Sequence, residues 1–450
     1  MEYTLDKFQN EIIQKVQKLL NLPDDFDIPI EIPSKERGDF ALPCFAFASK
    51  MKKPPVDIAE ELTEKIELKY GRANQEGPYV NFSIDEKFLV TKEIKNCLEL
   101  KDDFGKYEPK NEKILIEHTS ANPNGPLHVG RARNPIIGDT MSRIYEMVGY
   151  DVERQYFVND IGRQMAILTW GTLNLNEEEL PKPDRKKIDY KMVKYYQKAN
   201  ELLEKNEDMD EEITDIIRSM EKGDVEIFKH FRDNADRVLE GINQSLERLN
   251  IHIDTFQNES SFILDGSVDE VIDMMTSISE SGKEEGALFF EKDDKKIFLT
   301  RSDGTNLYPA RDIAYHIWKG HHADRLLNVL GEDHKQHGEF IKNALKALDL
   351  EPIPKLLFYS FVTFEGREMS TRKGTYVTLD EFMDTAHEKA RGEILKRKGD
   401  IPEDEIEAIS EKVGLGSVRF NIIKVQPEKP IDFKWEEALN FQGDSAPFIQ

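Results

Sequence analysis

The spacing of hydrophobic residues along this 450-residue chain changes several times, and each change marks a new element. Phe8, Ile12, Ile13, Val16 and Leu19-Leu20 recur at helical spacing, and Asn21-Leu22-Pro23 stops the run. Alternation at Ile28, Ile30 and Ile32 then predicts a strand, Arg37-Gly38-Asp39-Phe40 a turn, and Ala41 to Met51 a helix. The stretch GPYVNFSI, residues 77–84, predicts a further strand that closes a small α+β module over residues 1–105. This module holds no catalytic constellation, so binding is its expected work. Lys35, Arg37, Lys50, Lys52 and Lys53 are its candidate phosphate contacts, unless they are simply solvated cations.

A different rhythm begins at Ile114-Leu115-Ile116, a short apolar run that predicts a buried strand. Asn122-Pro123-Asn124-Gly125-Pro126 forces a turn, and Ile136, Ile137, Met141 and Ile144 then recur at helical spacing. His128, Gly130, Arg131 and Arg133 therefore fall in the first turns of a helix that follows a strand, a place where exposed N–H groups and the helix dipole favour an anion. Val152 to Val158 predicts the next strand and Asn159-Asp160-Ile161-Gly162 its turn into another helix, the order expected of a parallel sheet. From about residue 174 to 253 charge-dense helical stretches interrupt that order, with Met209 to Glu212 expected to be solvated. The sheet resumes with strands predicted at Lys296 to Arg301, Arg325 to Leu330 and Lys355 to Phe364.

The net charge of −25 excludes a protein that grips nucleic acid over its whole surface, so any RNA contact belongs to local basic patches. Two cysteines, Cys44 and Cys97, are too few for a disulfide framework, and both are expected to be buried. No stretch has the length of a membrane span, and the first residues lack a basic start followed by an apolar core, so a cytoplasmic protein is expected.

Residues 120–131, SANPNGPLHVGR, with RN and IGD after them, resemble the HIGH signature of class I aminoacyl-tRNA synthetases as arginyl-tRNA synthetases carry it. Glu368-Met369-Ser370-Thr371-Arg372, continued as KGTYVTLDE, resembles the second signature of that class, KMSKS. YFVNDIGRQ (156–164), LYPARDIAYH (307–316), LNVLGEDHKQH (327–337) and FQGDSAPFIQ (441–450) extend the likeness, in order, over nearly the whole chain. The resemblance implies an α/β protein: a Rossmann-like catalytic domain over 106–400 with its helical insertion at about 174–253, and before it an N-terminal α+β domain that contacts tRNA. Residues 401–450 would be a helical junction leading toward an anticodon-binding domain, which is expected to be missing.

The implied reaction is ATP-dependent ligation of L-arginine to tRNA(Arg) through an arginyl-adenylate. On the residues alone, Tyr308 and Asp312 share one face of a predicted helix, and the sheet topology brings Glu117 within reach of them. In the resemblance Glu117, Asn122, Tyr308 and Asp312 recognise arginine, whose planar five-donor guanidinium suits carboxylates at fixed angles. His128, Arg131, Ser370, Arg372 and Lys373 are the implied catalytic residues, and His128, Gly130, Asp333, His334 and Met369 the implied ATP contacts. Mg²⁺ would come with ATP. The histidines at 321, 322, 334 and 337 are spaced too irregularly for a zinc site, so no protein metal cage is expected. Arg131 replaces the second His of HIGH and Glu368 the first Lys of KMSKS, with Arg367, Arg372 and Lys373 near enough in sequence to restore positive charge. Two readings follow: a monomeric arginine–tRNA ligase, or an impaired or truncated relative that binds tRNA, arginine or a protein partner.

Overall fold

The computed structural model describes residues 3–23, 25–206, 208–293, 295–364, 377–397, 402–440 and 442–450. The chain divides into two compact units, residues 1–108 with 147–149, and residues 109–146 with 150–450.

The first unit runs through α1 (Thr4–Leu19), β1 (Phe40–Pro43), α2 (Phe45–Met51), α3 (Pro55–Lys65), β2 (Gly71–Glu76), β3 (Tyr79–Ile84) and α4 (Glu86–Leu100). Its strands form an antiparallel sheet in the order β1-β3-β2. Phe8, Ile12 and Val16 of α1 share one core with Phe40, Leu42, Phe47, Val80 and Phe82. The alternating isoleucines do not make a strand. Pro29 and Pro33 withhold N–H donors, and the segment contributes a bridge from Glu31 to Ala41. Nor is Ala41 to Met51 one helix, because residues 40–43 pair with β3 and the helix starts at Phe45. Cys44 is buried as expected, but Cys97 is exposed, since α4 buries none of its residues. Of the candidate phosphate contacts, Arg37 pairs with Glu76 at 3.3 Å and Lys53 with Glu61.

The second unit opens with β4 (Lys113–Glu117), α5 (Arg133–Met147), β5 (Asp151–Val158) and α6 (Arg163–Asn174), followed by α7 (Ile188–Leu203), α8 (Asp208–Glu221) and α9 (Val225–Arg248). Next come β6 (Thr255–Asn258), α10 (Ser261–Leu264), α11 (Ser267–Thr276), β7 (Ser281–Glu284), β8 (Ala287–Lys292) and β9 (Lys295–Phe298). The chain continues with α12 (Tyr308–His322), β10 (Arg325–Gly331), α13 (Lys335–Ala347), β11 (Lys355–Tyr359), β12 (Val362–Phe364), α14 (Leu379–Arg397), α15 (Glu403–Ile423) and β13 (Ile431–Phe433).

Five strands pair in parallel in the order β11-β10-β4-β5-β6. The chain winds outward from β4 to β6, then crosses to the far side of β4 for β10 and β11. This reversal leaves a crevice at the carboxyl ends of β4 and β10, where Glu117 lies opposite Asn328. Both faces of β4 are covered, which is why Ile114, Leu115 and Ile116 are all buried. Ile114 and Ile116 pack with Ile137 of α5, and Leu115 with Ala323 and Leu326.

Three expectations for this unit are corrected, the first being that Lys355 to Phe364 is not one strand, since β11 pairs with β10 and β12 with β13 in another sheet. The strand near Lys296 belongs to a separate antiparallel sheet, β7-β8-β9, because a tight reversal joins β8 to β9 and a parallel partner would need a long crossover. Met209 is not solvated but 1% exposed. Met209, Ile213 and the partly buried Ile216 and Ile217 put an apolar stripe of α8 into the core shared by α6, α7 and α9, while Glu212 accepts a hydrogen bond from Trp170 Nε1 at 2.6 Å. Phe382 and Met383 of α14 and Val418 and Ile422 of α15 join the same core. Among the described residues no helix is long and apolar enough to cross a membrane.

Helix α5 approaches the end of β4 through Gly138, where an added Cβ would lie 2.2 Å from the fully buried His118 ring. Gly138→Ala is expected to lose about 1–3 kcal/mol of stability by overpacking. Urea denaturation checks it, and an unchanged midpoint would show that the helix can shift freely.

Candidate active site

The carboxyl ends of the parallel strands line one pocket. β4 contributes Glu117, β5 Phe157 and the following Asn159, β6 the following Glu259, β10 residues 328–331, and β11 Tyr359. Helix α12 adds Tyr308, Asp312 and His316, and α13 adds His337.

Behind this lining lies Lys319, with no solvent exposure. Its ammonium donates to Glu117 Oε2 at 2.8 Å and to Asn328 Oδ1 at 3.0 Å, and it lies 3.0 Å from His316 Nε2. An ammonium only donates, so His316 Nε2 must accept and the ring proton must sit on Nδ1. That nitrogen faces Asp312, 3.1 Å from Oδ1 and 2.8 Å from the backbone oxygen. The other Asp312 oxygen meets His337 Nε2 at 2.5 Å. Burial raises the Asp312 pKa, but His316 and His337 outweigh it and hold the carboxyl well below the usual range. Burial lowers His337 in turn, and the Asp312 contact overcomes this, leaving the imidazole above its ordinary value.

Further groups brace the rim. Asn134, on the first turn of α5, accepts from Thr119 N at 2.6 Å and donates to Val329 O at 3.0 Å, tying the ends of β4 and β10 together. Glu259 pairs with Arg311, which also donates to Asn306 O at 3.0 Å. Arg133 does not wait for an anion as its position predicted. It is fully buried and donates to the carbonyls of Ser360, Gln426 and Lys429 at 2.7–2.9 Å.

The segment before α5 pairs with a distant one. Val129 N donates to Val377 O at 2.9 Å, Leu379 N to Leu127 O at 2.7 Å, and His128 bridges Thr378. Burial, and then the Arg131 charge, push the His128 imidazole down to about 4, so it is neutral near pH 7 and suited to hydrogen bonding rather than to carrying charge.

Glu117, Asn122, Arg131, Tyr308, Asp312 and His334 thus come together around the pocket, with Asn122 also donating to Gln164 at 2.8 Å. His128, Gly130 and Asp333 are not in its lining, although each lies within three residues of one that is. Met369, Ser370, Arg372 and Lys373, with Arg367 and Glu368, lie outside the described residues. Sequence reasoning missed Lys319, His316, Asn328, Asn134, Glu259 and Arg311. Among the described residues no three His, Cys, Asp or Glu side chains gather as a metal site.

Comparison with known proteins assigns the family. The profile for the catalytic domain of class I tRNA synthetases of the arginine type matches residues 93–435. The chain belongs to the class I arginyl-tRNA synthetases. The N-terminal domain profile of arginyl-tRNA synthetases matches residues 6–84. Arginine–tRNA ligase of Methanocella arvoryzae is 43% identical over 412 residues, which cover 90% of this chain and 73% of that protein. That of Methanothermobacter thermautotrophicus is 38% identical over 99% of this chain and 79% of its own length. The Thermus thermophilus arginyl-tRNA synthetase structure superposes with a TM-score of 0.79 at 24% identity, covering 98% of this chain and 79% of that one, which shows the synthetase fold.

Replacing Lys319 by Met would leave the Glu117 carboxylate buried without its cation. Lys319→Met is expected to destabilise the protein by about 3–5 kcal/mol. Adding Glu117→Gln should recover much of that loss, and strictly additive effects in urea denaturation would contradict the coupling.

Proposed function

We propose that the crevice between β4 and β10 binds the side chain of L-arginine, and that the chain uses ATP to form arginyl-adenylate and then arginyl-tRNA(Arg). The observation that carries this reading is the convergence of Asp312, Glu117, Tyr308 and Asn122 on one pocket in a chain of the arginine family. Asp312 keeps its negative charge throughout the neutral range and offers two oxygens to the guanidinium fork. Glu117 already shares its charge with Lys319, so it acts as a directed acceptor more than as an attractive charge. Tyr308, exposed over half its surface, offers an aromatic face to the planar cation. Lysine would be poorly matched, because a compact ammonium cannot occupy both acceptors.

In the reaction the arginine carboxylate attacks the α-phosphate of ATP and pyrophosphate leaves; a tRNA hydroxyl then takes the arginyl group and AMP leaves. The enzyme's part is positioning and charge stabilisation. We assign ATP contacts to His128, Gly130, Asp333, His334 and Met369, and the stabilisation of phosphate charge to His128, Arg131, Ser370, Arg372 and Lys373. Mg²⁺ arriving with ATP would neutralise phosphate charge. The same proposal makes the protein a cytoplasmic monomer whose N-terminal unit contacts tRNA.

Arginine is expected to bind well above citrulline, which has nearly the same shape but no charge. Equal affinities in calorimetry would remove the arginine reading. Asp312→Asn should weaken arginine by about 2–5 kcal/mol.

His128→Ala should slow arginine- and tRNA-dependent adenylate formation while arginine affinity stays nearly unchanged, because a transition-state contact affects rate and not ground-state binding. Undiminished turnover would place the chemistry elsewhere.

A further inference from the structure

We propose that His337 is the resident counter-cation of the pocket, so that a guanidinium reaching Asp312 drives a proton from the His337 imidazole into solvent. This rests on the arginine reading above and adds to it a proton released for each arginine bound.

The geometry singles out His337. Two histidines touch Asp312, but His316 already accepts at Nε2 from the fully buried Lys319, so it cannot take a second proton without expelling that ammonium. His337 is under no such constraint. Its Nε2 meets Asp312 Oδ2 at 2.5 Å, and its ring packs against Tyr308 at 5.1 Å and Phe340 at 5.8 Å between centroids. Its Nδ1 is buried with no hydrogen-bond partner among the described residues. As an imidazolium the ring has one acceptor for its charge, Asp312. As a neutral ring with the proton on Nε2, it keeps that bond and leaves Nδ1 as a bare acceptor, whereas the imidazolium buries an Nδ1 donor with no acceptor among the described residues, so the charged form depends for its hydrogen bond on Asp312 alone.

The other charged groups around the pocket do not replace Asp312 as the partner. Glu117 on β4 is engaged by Lys319, and Glu259 after β6 by Arg311. Glu117 still raises His337 to a lesser degree than Asp312 does, and Arg131 and His334 are the other charged or titratable side chains of the lining. Asp312 raises the His337 pKa above its ordinary value of 6.5. A guanidinium on Asp312 cancels that influence and brings a second cation close to the ring, so burial then dominates and the pKa falls.

The sign follows. Above the raised pKa of His337, the ring is already neutral and arginine affinity is flat. Below it, each arginine must expel a proton, and affinity falls up to tenfold per pH unit until the pKa of the complex is reached. Citrulline carries the same α-amino and carboxylate groups without the cation, and expels no proton.

Calorimetric titration of the full chain with arginine, in two buffers of different ionisation enthalpy at several pH values, reads the proton count directly. The expected result is proton release on arginine binding that grows as the pH is lowered through the raised pKa of His337, none with citrulline, and none with arginine in His337→Gln, which keeps a donor for Asp312. Arginine binding without proton release, or equal release with citrulline or from His337→Gln, would overturn the counter-cation and leave the arginine reading intact. Failure to bind arginine at all would overturn the arginine reading itself. Should His337→Gln not fold, NMR of labelled histidines in the unmodified protein decides: one ring should lose its proton on arginine addition, and unchanged histidine titration would refute the proposal.

Discussion

The Lys319 ammonium lies without solvent exposure between the ends of two neighbouring strands, and three acceptors surround it. A buried cation is tolerable only when every proton finds an acceptor, and this one does. By engaging Glu117 it sets the direction of the carboxylate at the tip of β4. By donating to His316 Nε2 it forces the His316 proton toward Asp312. Its ammonium also sits 4.2 Å over the Tyr315 ring, whose hydroxyl donates to the buried Gln155 on β5 at 2.6 Å. One side chain on α12 therefore aligns groups on β4, β5 and β10. The crevice that the strand order opens becomes a pocket of defined polarity.

Two of the three carboxylates lining this pocket are matched by a permanent cation, Glu117 by Lys319 and Glu259 by Arg311, while Asp312 lies against His316 and His337. The pocket is therefore not a sink of uncompensated negative charge that would collect any cation. On the proposed reading, discrimination comes from the placement of acceptors, which would suit a planar multi-donor group and penalise a compact ammonium. The helical insertion also takes part in this frame. Tyr190 on α7 donates to Thr378 Oγ1 at 2.7 Å, and Lys187 donates to Asp380 at 2.7 Å and to Ser245 at 2.6 Å. The segment 377–379 that pairs beside His128 is thus held from its other side by the insertion.

Short-range pattern revealed much of this and hid some of it for identifiable reasons. Ile114-Leu115-Ile116, the turn after it and the helix that carries Ile136 and Ile137 were legible because both faces of β4 are buried and helical spacing follows closely, although α5 starts at Arg133 and leaves His128 in extended backbone before it. The alternation at Ile28, Ile30 and Ile32 misled because its two prolines count for more than its isoleucines. In α8 the abundant acids concealed Met209 and Ile213, whose spacing of four was the better signal. β2 reads GRANQE, with no apolar alternation, and is a strand because β3 pairs with it throughout.

The residues proposed to recognise arginine and the residues that pair with them differ in legibility because they differ in range. Tyr308 and Asp312 lie four apart on one helix, so spacing alone places them on one face. His316 and Lys319 continue that same face, and a polar stripe running into an otherwise apolar helix was the available signal for them. What no local pattern contains is their partners. Lys319 meets Glu117 across 202 residues of sequence, Arg311 meets Glu259 across 52, and His337 meets Asp312 across 25. Those pairings exist only because the chain crosses back over β4 before laying down β10, so the electrostatics of the pocket follow from strand order and become readable only once that order is known.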